Sequence, residues 1–157
     1  MEEGVATTFD FWVGATDVDS EGDFYWSTSG QAVEFTAWSE GQPDGGTNQN
    51  CVASTLEHYY FWSDEDCSRK INMQAACSSN VRLGKCPTEA WKYIEEVDRC
   101  YYVYMDEYVM GTEAAAICDG GASGSYPAEL ETPEENSAVQ AYLTSLTNPT
   151  VCQVTIL

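Results

Sequence analysis

The sequence has few basic residues and a single histidine. Lysine and arginine together number 6, against 26 aspartates and glutamates, and the formal net charge is -20. Such a surface repels the phosphates of nucleic acids and anionic lipids. We therefore expect no nucleic-acid partner, whereas cationic partners or divalent metal ions are favoured. Solubility alone explains the acidic surface equally well.

Long apolar runs are also absent. A membrane helix needs about 20 apolar residues in succession, so the sequence predicts no membrane-spanning segment. Hydrophobic residues still make up 43% of the 157 residues, which is enough for the core of one domain. The first residues, MEEGVATTFDF, lack the pattern of a signal peptide. A secretory signal is expected to have been removed or to lie outside this segment.

The residue patterns of common active sites are missing. No two cysteines stand in a CxxC pair, and His58 lies in the aromatic run HYYFW, where a lone histidine is most often structural. The paired acids Glu134 and Glu135 stand at a predicted helix start, where they serve capping and the helix dipole. No nucleophile–base pair is recognisable. We expect the protein not to be an enzyme.

Cysteine is abundant for a chain of this length. The seven cysteines indicate disulfides and an oxidising, extracellular compartment. Their odd number leaves one thiol free or bonded to another chain. They are Cys51, Cys67, Cys77, Cys86, Cys100, Cys118 and Cys152.

The first half of the chain reads as strands and loops. Aromatic and β-branched runs bounded by turn residues predict short strands, and the first of them is expected to stop at Gly14. The predicted segments are FDFWVG from Phe9, GDFYWSTSG, two strands within CVASTLEHYYFWSDEDC, and INMQAAC.

The second half contains the helices. In TPEENSAVQAYLTSL, Thr132 is the predicted N-cap, Pro133 the first helical residue and Glu135 the far side of a capping box. Its predicted apolar stripe consists of Ala138, Ala141, Tyr142 and Leu146. A shorter helix, GTEAAAICDGG, is closed by Gly120 and Gly121. The stretch SSNVRLGKCP reads as a linker, and TEAWKYIEEVDR is ambiguous, with helical local propensity.

Together these segments resemble the C-type lectin-like domain family. That family implies an α+β fold with two helices, short antiparallel sheets and a long loop, stabilised by disulfides. The matching segments of the first half are FWVGATD, EGDFYWSTSG, AWSEGQPD, CVAS, FWSDEDC around the Trp-Asn-Asp motif, and INMQAAC. Those of the second half are CPTEAWKYIEEVDRCYYV, which resembles the N-terminal hairpin, and EAAAICDGGASGSYPAELETPEEN, which resembles the two helices.

The order of these segments departs from the family. Residues 1–79 resemble the C-terminal half of such a domain, 80–85 a linker, and 86–157 the N-terminal half. The segment is a stretch of a tandem array, a circular permutant, or a chain that completes its fold with a neighbour. We favour a tandem array, within which this segment can still close into one unit, since domain termini often lie close together.

The resemblance also implies disulfide partners. Cys51 would pair with Cys67 across the long loop, Cys86 with Cys100 in the hairpin, and Cys118 with Cys77. The last bridge can form within one chain or between neighbours. Cys152 has no place in the family pattern and is unpaired or interchain. Together with its β-prone surroundings, TVCQVTIL, it predicts association with neighbouring copies of the chain.

In the family, calcium sits beside a cis proline, here Pro43, and its ligands also bind sugar hydroxyls. The matching metal ligands are Gln42, Asp44, Gln49, Ser63 and Asp64, and all of these except Ser63 would also contact the sugar. The order Gln-Pro-Asp resembles the galactose-type loop.

Only Asp44 and Asp64 of these residues are charged, and calcium affinity rises with the number of carboxylates. The sequence therefore predicts weak calcium binding at best. The aromatic residue expected after Gln-Pro-Asp is replaced by Gly45-Gly46-Thr47. Asp17 and Glu21 match part of an auxiliary calcium site.

Two functions follow. The first is an extracellular lectin-like binding module for a glycan or an extracellular protein ligand, with weak calcium-dependent recognition of galactose type. The second is a structural subunit of an extracellular assembly or acidic matrix. In that case the sugar site is degenerate, and Pro43 and Trp38 merely hold the fold.

Overall fold

The computed structural model describes residues 9–70, 72–80 and 85–147. Within them the chain forms eight strands and two α-helices. The strands are β1 (Asp10–Thr16), β2 (Tyr25–Trp26), β3 (Cys51–Ser54), β4 (Trp62–Glu65), β5 (Met73–Asn80), β6 (Lys92–Ile94), β7 (Arg99–Tyr104) and β8 (Tyr126–Pro127). The helices are α1 (Ala114–Gly121) and α2 (Pro133–Thr147). Of the helices in these residues, none is both long and apolar enough to cross a membrane.

The described strands form one sheet in the order β4-β3-β1-β5-β7-β6, with β2 attached to β1 and β8 to β5. Neighbouring strands are antiparallel except for β1 and β5, which run parallel. Strand β5 pairs with β1 on one side and with β7 and β8 on the other. It therefore joins strands of both halves of the sequence into one sheet, and the α+β prediction is confirmed.

Three disulfides tie the described part of the chain together, and they are the pairs that the resemblance implied. Cys51 bonds Cys67, Cys77 bonds Cys118, and Cys86 bonds Cys100. The bridge between Cys77 and Cys118 closes within one chain and links β5 to α1. Cys152 lies outside the described residues.

Strand β1 is buried on both faces because it lies at the centre of the sheet. Phe11 and Val13 belong to the apolar cluster on the side of α2, together with Leu143. Trp12, one residue out of phase, belongs to the cluster on the side of α1. Alternation along a strand explains the division. Trp12, Trp26, Trp62 and Trp91 are all buried, as predicted.

Two strand predictions need correction. Strand β1 does not stop at Gly14 but runs on to Thr16. At Gly14 a Cβ atom would lie 2.9 Å from the carbonyl oxygen of Pro127. Glycine is therefore required there by the close approach of β8 rather than by a turn. Strand β5 also includes Ser78 to Asn80, which the sequence predicts to belong to the linker stretch SSNVRLGKCP.

The ambiguous segment TEAWKYIEEVDR forms a hairpin, as the family resemblance implied. Its β6 strand is followed by a short 3-10 turn, Glu95–Val97, and then by Asp98 at φ 48° before β7 begins. Pairing of β6 with β7 and the Cys86–Cys100 bridge override the local helical propensity.

The start of α2 was predicted half correctly. Thr132 is the N-cap, since its Oγ1 accepts the backbone N–H of Glu135 at 3.1 Å. The return bond of the capping box is absent, because Oε2 of Glu135 accepts the N–H of Glu131 instead, at 2.9 Å. The other oxygen of Glu135 accepts from Arg99 and from the Tyr101 hydroxyl. A carboxylate that is 4% exposed requires such partners.

The apolar stripe of α2 is centred differently from the prediction. Ala141 is exposed, whereas Val139 and Leu143 are each 1% exposed. Ala138, Tyr142 and Leu146 flank them at the edge of the core. Val139 and Leu143 lie four residues apart and therefore share one face of the helix, so this larger buried pair sets the orientation of α2.

Glu129 gives the fold a pH dependence. It is 6% exposed, and its Oε1 accepts the backbone N–H of Ser29 at 3.2 Å. Burial raises the pKa of Glu129 above its usual value, although the bond from Ser29 opposes this. A raised pKa in the folded state stabilises the fold at low pH, and this contribution is lost as the pH rises through that pKa.

We expect Glu129→Gln to raise the free energy of unfolding at pH 7, because the amide oxygen can still accept from Ser29 without a buried charge. The gain should shrink as the pH falls towards 4. Urea denaturation across this pH range measures it. Glu89→Gln, at an exposed position, is the matched control and should show no such trend. A Glu129→Gln protein less stable than the original at pH 7 would contradict the expectation.

Candidate functional site

The candidate site lies in the loop that precedes β3 and packs against β4. The Gln42–Pro43 peptide bond is cis, as expected from the resemblance. A short 3-10 turn, Gly46–Asn48, follows, and the loop then enters β3 at Cys51. The Cys51–Cys67 disulfide fixes the far end of the loop.

Asp64 organises the loop. It is 2% exposed, and its two carboxylate oxygens accept the backbone N–H groups of Asp44 and Gly45, each at 2.9 Å. Its own backbone N–H donates to Oε1 of Gln42 at 3.2 Å. The structure thus brings three of the five predicted ligands together: Gln42, Asp44 and Asp64. The carboxylate of Asp64 is already engaged in holding the loop.

The other two predicted ligands are placed less favourably. The side chain of Gln49 covers Gly45, where a Cβ atom would lie 1.8 Å from its Oε1. Ser63 is 1% exposed, and its hydroxyl donates to Glu65 at 3.1 Å. Successive residues of β4 point to opposite faces of the sheet, so Ser63 lies on the other face from Asp64.

A second group of acids adjoins the loop at the end of β1. Asp17 is 2% exposed, and its Oδ2 accepts the N–H of Gly22 at 2.8 Å. Its Oδ1 is buried and has no hydrogen-bond partner within the described chain. The hydroxyl of Thr16 and the N–H of Asp17 both donate to the carbonyl of Asn50, which attaches this acid to the loop.

The pKa of Glu21 reflects the negative charges around it. Its pKa is raised by partial desolvation and then by the charges of Asp17 and Asp64. The charges of Asp17 and Asp64 therefore act on Glu21, and one buried oxygen of Asp17 lacks a hydrogen-bond partner. A buried polar atom without a partner is costly and marks a place where a cation or water fits. Only the structure reveals this, because sequence does not show hydrogen bonding.

The donors present fit calcium in part. Among the described residues, no three His, Cys, Asp or Glu side chains converge on a position that could hold a metal ion. Calcium prefers six to eight oxygen ligands. Two amides, Asp44 and the engaged Asp64 supply few charged oxygens, although the free oxygen of Asp17 stands nearby.

His58 and Tyr59 of the β3–β4 hairpin do not take part in the candidate site. The Nδ1 atom of His58 lies 3.2 Å from the Ser39 hydroxyl, in keeping with the structural role predicted for it. Tyr59 is 85% exposed with φ 54°, although the aromatic run HYYFW reads as a strand. It lies at the end of the hairpin opposite the Cys51–Cys67 bridge, so it does not replace the missing aromatic of the loop.

Comparison with known proteins shows similarity to C-type lectins. Residues 2–78 match the family described as lectin C-type domain. The human protein C-type lectin domain family 3 member A is 41% identical over 58 residues, covering 37% of this chain and 29% of that protein. The alpha-N-acetylgalactosamine-specific lectin of Patiria pectinifera is 42% identical over 65 residues, covering 40% of this chain and 38% of that protein.

Among solved structures, the carbohydrate-recognition domain of the mouse scavenger receptor C-type lectin aligns with 28% identity and a TM-score of 0.34. This alignment covers 38% of this chain and 48% of that chain. The chain spans less than half of the length of the relatives it matches.

Proposed function

The chain carries a C-type lectin-like domain, and from this premise we propose that it is an extracellular module that binds glycans at the loop from Gln42 to Gln49. The observation that supports the proposal best is the cis Gln42–Pro43 bond, with Gln42 and Asp44 both tied to Asp64. Membership of a lectin family makes the domain a binding module and not an enzyme.

Calcium binding is proposed to be weak. Gln42, Asp44 and Asp64 would hold the ion, with Gln49 beside them, whereas Ser63 faces away. A bound ion would supply a positive charge to which the hydroxyl oxygens of a sugar can coordinate. Asp64 would have to share its oxygens between the ion and the two backbone N–H groups that it now accepts. This competition, together with the small number of carboxylates, supports low affinity.

The proposed sugar class is galactose-type. The support is the order Gln42-Pro43-Asp44, which resembles the loop of galactose binders. The Patiria pectinifera relative is named as specific for alpha-N-acetylgalactosamine, a sugar of that class.

An extracellular location and a repeated architecture complete the proposal. Three disulfides within the described residues support an oxidising compartment. We take residues 1–79 and 86–157 as two halves of a lectin-like domain within a tandem array. The bridge from Cys77 to Cys118 in one chain supports closure of this segment into one unit. Association of neighbouring copies through Cys152 stays a prediction.

We expect calcium to bind with a dissociation constant of about 0.1–1 mM or weaker, as in weak extracellular sites. Calorimetry with calcium, followed by titration of N-acetylgalactosamine and mannose with and without EDTA, tests this. The galactose-type sugar should bind better, and only with calcium. Asp44→Asn should weaken both affinities by about tenfold or more, since it removes one of two charged ligands. Asp23→Asn, an exposed acid outside the loop, is the matched control.

Three outcomes would contradict parts of the proposal. A preference for mannose would show that the Gln-Pro-Asp order does not set the sugar class here. Micromolar calcium affinity that is lost in Asp44→Asn would show that the amide ligands bind more strongly than proposed. Calcium binding that is lost in Asp17→Asn and kept in Asp44→Asn would move the ion to the auxiliary acids.

A further inference from the structure

We propose that a cavity between β1 and the start of α1 binds a compact apolar molecule, independently of calcium and sugar. The cavity has a volume of about 210 Å³. Its walls come from β1, the first turn of α1 with the residues before it, the Cys51–Cys67 disulfide, and Pro127. No ligand of the sugar loop lines it.

Two glycines at the edges of the cavity cannot be replaced by larger residues. A Cβ atom on Gly111 would lie 2.8 Å from the sulfur of Cys51, and one on Gly14 would lie 2.9 Å from the carbonyl oxygen of Pro127. Backbone and disulfide therefore approach closely at the edges of the cavity. Ala114 and Ala115 line the space between these edges with side chains too short to fill it.

The shape of the cavity is fixed before any ligand arrives. The indole N–H of Trp12 donates to the carbonyl of Val109 at 2.8 Å, and the N–H of Gly111 donates to the carbonyl of Cys67 at 2.9 Å. Gly14 is likewise bonded to Ala128 at 2.8 Å. Pre-formed concave sites of this kind lose little conformational entropy on binding.

The lining favours an apolar occupant. Two polar groups of the lining already have partners: the Thr16 hydroxyl donates to Asn50, and the Ser27 N–H donates to Gly14. An apolar cavity of about 150 Å³ is known to bind benzene. The present cavity has room for about six to ten non-hydrogen atoms by the same comparison.

Access is available from one side. Val18, which lines the cavity, is 60% exposed, and Thr112 and Ala115 are exposed as well. A small molecule can therefore enter past α1 without displacing the core.

Benzene is the probe. Titration of the calcium-free protein in EDTA should produce saturable NMR shifts of the methyl groups of Ala114 and Ala115 and of the indole N–H of Trp12. Ala115→Phe places a ring in the cavity and should weaken benzene binding by about tenfold or more, as overfilled apolar sites lose their ligand. Ala116→Phe, on an exposed position of α1 outside the cavity, should leave the shifts within about twofold.

Thr112→Phe provides a second filled variant in case Ala115→Phe does not fold, and circular dichroism identifies folded protein. The proposal is overturned if benzene causes no saturable shift up to its solubility, or if the shifts persist in both filled variants. It is also overturned if the largest shifts fall at Tyr93 and Tyr142, which line a different groove. Because EDTA removes calcium, these results do not depend on the sugar experiment.

Discussion

Trp62→Ala is expected to lower the free energy of unfolding by about 3–5 kcal/mol, the usual cost of deleting a fully buried indole. Trp62 is 0% exposed, and its ring centroid lies 5.8–6.0 Å from those of Trp26, Phe35 and Trp38. Its indole N–H also donates to Oδ1 of Asn136 at 3.0 Å, which joins β4 to α2. The substitution therefore removes apolar contacts and leaves a buried amide oxygen without its partner.

Urea denaturation followed by circular dichroism measures this loss. Trp62→Phe keeps a ring but not the N–H, so it should cost less, about 1–3 kcal/mol for the unpaired Asn136 oxygen. The matched control is Tyr59→Ala, at an aromatic that is 85% exposed, where a change within about 0.5 kcal/mol is expected. A Trp62→Ala protein as stable as the Tyr59→Ala protein would contradict the assignment of Trp62 to the centre of the core.

Removal of the Cys77–Cys118 bridge by a double alanine substitution is expected to cost about 4 kcal/mol, the chain-entropy value for a loop of this length. The two cysteines are separated by 41 residues. They are 2% and 1% exposed, so the loss of two buried sulfurs adds to the effect. This bridge ties the last strand of the first half of the sequence to a helix of the second.

The double alanine variant of Cys86 and Cys100 is the control. That bridge spans 14 residues, and the same relation gives about 3 kcal/mol. Chemical denaturation of both variants, with mass mapping of the unreduced protein, compares them. The expectation fails if the Cys77 and Cys118 variant is the more stable of the two. Closure within one chain fails if Cys77 is found bonded to Cys118 of another copy.

Local signals predicted the parts of the fold that depend on local chemistry. Thr132 followed by Pro133 marks a helix start whatever the surroundings, and α2 begins there. The partner of Glu135 could not be predicted in the same way. That carboxylate is bound by Arg99 and Tyr101 of β7, which lie more than 30 positions earlier in the chain. Burial and the bond to Glu135 raise the pKa of Tyr101 well above its usual value, which fixes the hydroxyl as a donor.

Part of the candidate site could likewise be predicted from the sequence, and part could not. The family resemblance predicted the cis bond at Pro43 and the grouping of Gln42 and Asp44 with Asp64. The alternation of WSDE within a strand was a signal that Ser63 and Asp64 face opposite ways, and it could have removed Ser63 from the ligand set. The orphaned oxygen of Asp17 could not be predicted, because it depends on which backbone N–H groups reach that carboxylate.

The bond from Cys77 to Cys118 makes a closed circuit of covalent bonds through β5, β6, β7 and α1. A single break in the peptide backbone anywhere on that circuit leaves both pieces in one molecule, since the path through the two sulfurs remains. The sheet holds the same pieces together a second time, because β5 and β7 pair along six residues of each strand. A nick between β5 and β6 would therefore open the chain without releasing either half of the domain.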